Sequence, residues 1–156
     1  MKTIVIGVGN EYRGDDGAGR LVARRLVNRV PTDVEVRESS GESAGLMEVW
    51  ESYNRVYLVD AVESHQPPGT IHRIEAHDCE MPRDFFHCST HAFSIAEAIE
   101  LARSLELLPP EVIVYGIEGK WFESGKKLTP EVEAGIATVT DRIIEELSPN
   151  KGSTNA

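Results

Sequence analysis

Apolar positions along this chain alternate between two periods. Thr3-Ile4-Val5-Ile6-Gly7-Val8 is a near-continuous apolar run and predicts a buried strand over 3–8. Ala18, Leu21, Val22 and Leu26 then fall on one helical face with Arg20 and Arg24 off it, which predicts a helix over 15–28, with Pro31 soon after its end. Val34-Glu35-Val36 is a short strand, Glu38 to Ser43 a polar loop, and 44–51 a short helix. Val56-Tyr57-Leu58-Val59 reads as a second buried strand that stops at Asp60. After the turn Gln66-Pro67-Pro68-Gly69, Thr70 to Ile74 alternates and predicts an antiparallel strand at the sheet edge. Residues 76–90 hold no period and form a long loop, which in a compact domain signals function. A third helix is expected over 91–107, with Ile95, Ala98, Ile99, Ala102 and Leu105 inward and Ser89 or Thr90 as its cap. Val112 to Ile117 is the last strong strand, followed by a loop over 118–128 containing Glu118, Trp121 and Phe122. Thr129 as N-cap, Pro130 at the first helical position and Glu131 and Glu133 in the first turn open a fourth helix, lined by Val132, Ile136, Val139, Ile143 and Leu147.

Strands and helices that alternate, with strands apolar on both faces, predict an α/β fold: a three-layer α/β/α sandwich around a mostly parallel, roughly five-stranded sheet. The pattern supports a single domain over 1–148 and a polar, fraying tail over 149–156.

Composition changes this picture little and excludes several functions. Hydrophobic content of 40% and charged content of 27% are ordinary for a globular chain. The net charge of −10 argues against nucleic acid or an anionic membrane as partner. No apolar run approaches the ~20 residues of a membrane helix. The first residues run straight into a strand, so no signal peptide is expected. Cys79 and Cys88 are expected reduced, and a cytoplasmic location follows.

The candidate chemistry begins in the turn Gly9-Asn10-Glu11-Tyr12-Arg13-Gly14-Asp15-Asp16-Gly17 after the first strand. A strand, a glycine-rich turn and a helix start ordinarily suggest phosphate binding. Here Tyr12 stands where the dinucleotide fingerprint needs its third glycine, and no Gly-Lys-Ser/Thr triplet follows. Asp15 and Asp16 also place two negative charges where a phosphate would lie. The pair either caps the helix or, at Asp16, faces a cation.

Sites in an open α/β sheet form beyond the carboxyl ends of the strands. Asp16 follows the first strand, Asp60 closes the third, and His91 stands where the long loop returns to the sheet. Two carboxylates and an imidazole suit a first-row divalent ion, nickel by preference over zinc or iron, and three protein ligands leave positions open. Without a metal, Asp16 and Asp60 would form a carboxylate dyad sharing a proton. Asn10 beside the glycines is a candidate for binding a substrate backbone; the alternative is a turn residue with positive φ. Cys79, His87, Cys88 and His91 match no standard zinc spacing. His65, His72 and His77 read as solvent-facing. Trp121 and Phe122 either rim a protein-binding surface or cover the core edge.

Gly7-x-Gly9-Asn10 with Gly14-Asp15-Asp16-Gly17-x-Gly19, then Val59-Asp60-Ala61, Ser89-Thr90-His91 and Tyr115-Gly116-Ile117, resemble in order and spacing the hydrogenase maturation endopeptidases, which process the large subunit of nickel–iron hydrogenases. The resemblance implies an aspartic-type or metal-dependent endopeptidase, cytoplasmic and monomeric. It implies that Asp16, Asp60 and His91 bind metal and that Asp16 and Asp60 serve catalysis. Nickel would be supplied by the loaded large-subunit precursor, whose C-terminal extension is removed, with either the metal or a carboxylate activating water. Many relatives carry an Asp-Gly-Gly-Thr-like stretch where this chain reads Glu38-Ser39-Ser40-Gly41-Glu42-Ser43, a loop expected to select the substrate through Gly41. Two other readings stand beside this one: a non-catalytic nickel-binding maturation chaperone docking on the same subunit, and a nucleotide-binding α/β protein.

Overall fold

The structure, a computed structural model, describes residues 2–40, 43–82, 85 and 95–149, with the side chains of residues 43 and 44 outside that description. Gly41, His87, Cys88, Ser89, Thr90 and His91 therefore lie outside the described residues. The elements are β1 (Thr3–Val8), a 3-10 turn (Gly14–Gly17), α1 (Ala18–Leu26), β2 (Val34–Ser39), α2 (Ser43–Trp50), β3 (Arg55–Val62), β4 (Ile71–Glu75), α3 (Ile95–Ser104), β5 (Glu111–Glu118) and α4 (Pro130–Glu146). They form one five-stranded sheet in the order β2-β1-β3-β5-β4. All neighbours are parallel except β4, which runs antiparallel to β5 at the edge.

Side chains alternate across a strand, so each buried strand feeds two cores. Val5, Tyr57, Val59, Ile113, Tyr115 and Ile117 pack against α1 and α4 through Val22, Leu26, Val132, Ile136, Val139 and Ile143. Ile4, Ile6, Leu58, Val112 and Val114 pack on the other face against Leu46 and Trp50 of α2 and Ile95, Ala98, Ile99 and Ala102 of α3. The expected sandwich is thus present, and Thr129 caps α4 as read, its hydroxyl accepting from Val132 N–H.

Several boundaries differ from the sequence reading, three of them near the site. β3 does not stop at Asp60; it continues to Val62, pairing Asp60 with Gly116, Ala61 with Ile117 and Val62 with Glu118. A ladder is a backbone property, and a carboxylate does not end it while the neighbouring strand continues. β2 likewise runs on through Glu38 and Ser39 because β1 pairs with it to Val8. The first helix begins at Ala18 rather than Asp15, the preceding residues forming the tighter 3-10 turn.

The last turn of α4 is pinned to the sheet by Glu146. Its carboxylate accepts from Tyr57 Oη–H at 3.1 Å, from Tyr115 Oη–H, and from Arg73 Nη2–H at 2.6 Å. Burial raises the Tyr115 hydroxyl to about 12, helped by Glu146, and moves Tyr57 in the same direction. Burial opposes ionisation of Glu146, but Arg73 and Tyr115 outweigh it and hold the carboxyl below its ordinary value. Glu146→Ala is expected to cost about 2 kcal/mol, lowering Tm by roughly 4–8 °C at pH 7. A lowered folded-state pKa stabilises above the unfolded value of about 4.3 and is lost as pH falls through the folded value. The gap between variant and wild type should accordingly narrow in melts below about pH 4.

Candidate functional site

The site is assembled at the carboxyl ends of β1 and β3. After Val8 the chain turns sharply at Gly9, whose φ is 148°. A Cβ there would lie 2.0 Å from the carbonyl oxygen of Asp16, so only glycine lets the turn fold back on itself. Asn10 N–H donates to both the carbonyl oxygen and Oδ2 of Asp16, each at 3.2 Å. Gly14 (φ 58°) makes the second close approach, 2.3 Å between its ideal Cβ position and Trp121 O.

Asp15 and Asp16, adjacent in sequence, have separate fates. Asp15 is fully buried and accepts from Lys120 N–H at 2.7 Å, Trp121 N–H at 3.0 Å and Thr129 N–H at 2.8 Å, with the Thr129 hydroxyl also within reach. Its own N–H donates to Trp121 O at 2.7 Å. Asp15 is therefore the anchor of the 119–129 loop. Neither carboxylate caps the turn or α1, whose N-cap positions, Arg13 and Gly17, have no side-chain cap bond. The capping alternative is thereby corrected.

Asp60 points to the α2–α3 face with Leu58 and Val62 as sequence neighbours on that side. It is 6% exposed, and its Oδ1 has no hydrogen-bond partner among the described residues. Burial raises its carboxyl well above the ordinary value, the negative charge of Asp16 raises it further, and the Ala61 N–H opposes them. β1 and β3 are paired neighbours, and the turn after β1 puts Asp16 near enough for its charge to act on Asp60. A buried carboxylate under the influence of a second negative charge is costly without a cation or a proton to offset it. The donor set therefore fits a divalent ion as it fits a shared proton. Of the third candidate, only the position of α3 bears on it. Ile95 opens α3 buried on the same face as Asp60, and α3 then descends to the start of β5, so its N-terminus lies toward the carboxyl ends of the strands.

Glu118 was not singled out by the sequence reading. It is the last residue of β5 rather than a loop residue, 1% exposed, accepting from Ser64 N–H at 3.1 Å and from the Ser64 hydroxyl. Its Oε1 lies 3.0 Å from His72 Nε2. The signal was available: Val112, Val114, Gly116 and Glu118 continue one period-2 face. His72 is half-buried rather than solvent-facing, its ring edge-on to Phe85 at 5.3 Å, and Phe85 lies over Gly116 between His72 and Asp60 in register. His77 is also half-buried: Nδ1 accepts from Val112 N–H at 3.0 Å, which leaves the Nε2 proton toward Asp78 and Glu75 at the opposite end of the sheet. His65 is exposed as read, at a φ of 68°. Asn10 does not have positive φ; its Oδ1 accepts from Tyr12 N–H at 2.9 Å in a local turn. Phe122 packs on the core edge, whereas Trp121 stays 38% exposed.

A family model described as hydrogenase maturation protease matches residues 22–146. The chain is 30% identical over 148 residues to a protein of Methanocaldococcus jannaschii assigned provisionally as a hydrogenase maturation protease, covering 91% of each. It is 29% identical over 153 residues to the hydrogenase 2 maturation protease of Escherichia coli, covering 94% of this chain and 91% of that one. The fold is similar to that of the hydrogenase-maturating endopeptidase HybD from E. coli, with a TM-score of 0.76 at 22% identity over 94% of this chain and 92% of the other. Among the described residues no helix is long and apolar enough to cross a membrane.

Proposed function

Because this chain belongs to the hydrogenase maturation protease family, a family of endopeptidases, we propose that it removes the C-terminal extension of a nickel–iron hydrogenase large-subunit precursor, and does so after nickel has been inserted. The observation that supports this reading is the Asp60 carboxylate, buried with one oxygen unpartnered among the described residues and within reach of the Asp16 charge. Such a pair is built to receive something positive from outside.

In the proposed reaction the nickel belongs to the precursor, and Asp16, Asp60 and His91 supply additional ligands to it. Docking through those bonds places the scissile peptide against the site, and a precursor without metal gains none of them. A carboxylate oxygen of the Asp16–Asp60 pair that is not bound to the metal takes a proton from the attacking water and returns it to the leaving amine, while the water oxygen bonds to the carbonyl carbon and the C–N bond breaks. The Asn10 side-chain amide and Gly41 contact the substrate backbone. Asp15 touches no substrate; it holds the 119–129 loop against the turn that carries Asp16.

The deciding experiment mixes the protein with nickel-loaded and nickel-free precursor and follows precursor mass. Shortening of the loaded form alone is expected, and His91→Ala is expected to reduce it at least 100-fold with an unchanged melting curve. Tight binding of loaded precursor without shortening would instead favour a non-catalytic chaperone. Shortening of both forms at equal rates would remove nickel as the recognition element.

A further inference from the structure

Tied through Asp15 to the turn that carries Asp16 is a surface that the proposed chemistry does not use. The loop after β5 carries Lys120, Trp121, Glu123, Lys126 and Lys127, so three of the five lysines of the chain fall within eight residues. The ammonium groups of Lys120 and Lys126 stand over the Trp121 ring, 5.5 and 5.7 Å from its centroid. Neither lysine has an ion-pair partner among the described residues, whereas Arg20, Arg24, Arg37, Arg55, Arg73 and Arg103 all do. Glu123 is the one acid among these exposed side chains. On a chain of net charge −10, this is a local reversal of sign.

The patch is also rigidly placed. Asp15 fixes the backbone of Lys120 and Trp121, Arg13 Nε–H donates to Phe122 O at 3.1 Å, and Gly125 N–H donates to Tyr12 O at 3.0 Å. Tyr12, 75% exposed, therefore joins Trp121 as a second exposed aromatic on the same rim, one loop away from Asp16. A held indole flanked by unpaired ammonium groups offers stacking area and anion attraction together.

We propose that this rim docks the C-terminal end of the peptide substrate, the segment beyond the scissile bond, through its terminal α-carboxylate. The proposal rests on the endopeptidase reading above. Its physical basis is charge complementarity: Asp16 and Asp60 repel an anionic segment from the site itself, and Lys120 and Lys126 give that segment a favourable place on the loop anchored by Asp15. A C-terminal extension always carries one free carboxylate, so the rim suits the end of a chain better than its middle.

The test measures precursor processing by wild type, Lys120→Glu/Lys126→Glu, and Lys120→Arg/Lys126→Arg. The charge-reversed variant is expected to raise KM at least tenfold with kcat within twofold, and the arginine variant to stay within threefold of wild type in both. Wild-type KM is expected to rise with ionic strength. In parallel, a synthetic peptide of the extension is titrated against Trp121 fluorescence, with Trp50 fully buried as background. Amidating its C-terminus is expected to weaken binding at least fivefold. An unchanged KM in the charge-reversed variant, or equal binding of free-acid and amidated peptide, overturns the rim. A wild-type protein that processes no precursor overturns the endopeptidase reading itself, a different result on the same gel.

Discussion

Asp60→Asn is expected to abolish processing and to make the protein more stable. Processing should fall by roughly 10²–10⁴ if Asp60 moves the proton of the attacking water. The stability gain has a separate cause. The Asp60 carboxylate is buried, one oxygen is unpartnered among the described residues, and Asp16 adds a like charge. Asn keeps a polar side chain there but removes the buried charge and its repulsion with Asp16, and a gain of about 2 kcal/mol corresponds to roughly 4–8 °C in Tm for a chain of this size. The sign with pH follows from the raised folded-state value. Both states are protonated below the unfolded pKa of about 3.9, and the stability of wild type is lost as pH rises through the folded value. The variant does not titrate there, so its advantage should be near zero at about pH 4 and largest at pH 8. Melting curves at the two pH values check this. A wild type more stable than Asp60→Asn at pH 8 would mean that the carboxylate is well compensated within the free protein, and the case for an external cation would fall.

Asp15→Ala is expected to show the opposite balance, with a large stability loss. Removing this carboxylate leaves the N–H groups of Lys120, Trp121 and Thr129 without their acceptor at once. Each such loss costs about 1–3 kcal/mol when the donor stays dry. The total is less than the sum because the loop can open to water. A net cost of about 3–5 kcal/mol, or roughly 6–20 °C in Tm, is expected. Hydrogen exchange localises it: the amides of Lys120, Trp121 and Thr129 should lose protection, while those of β1 and β3 keep their rank order. Processing should fall as well, because the Trp121 carbonyl and the Asp15 carboxylate together hold the turn that presents Asp16. An Asp15→Ala protein within about 1 kcal/mol of wild type would mean that the freed loop N–H groups are satisfied by water and that Asp15 does not anchor the loop.

These two aspartates show where reading the chain stops. Asp15 and Asp16 are identical in type and adjacent, and the residues around them say nothing about which turns to the loop and which to the sheet. The partners that decide are Lys120, Trp121 and Thr129 for one and Asp60 for the other, over forty positions away in the nearest case. Asp60 itself was recognisable as the acid at the end of an apolar strand. That the strand runs two residues further, leaving Asp60 inside the ladder opposite Gly116, depends on how far β5 extends. Glu118 was legible in principle, because it continues the alternation of Val112, Val114 and Gly116. A glycine in that series hid the period, and the burial of a glutamate follows only from Ser64 and His72 arriving beside it.

By itself, the order of residues determined the strands, the helices and the α4 cap. Each of those depends on apolar periodicity or on contacts within a few residues, and both are written locally. Tertiary structure alone decided that Asp15 is an anchor, that Asp60 is buried with one oxygen unpartnered among the described residues, that β1 lies beside β3, and that Trp121 is exposed with two ammonium groups over its ring. Burial, desolvation and charge–charge repulsion are sums over neighbours that come from distant parts of the chain, and they have no value until the fold has brought those neighbours together.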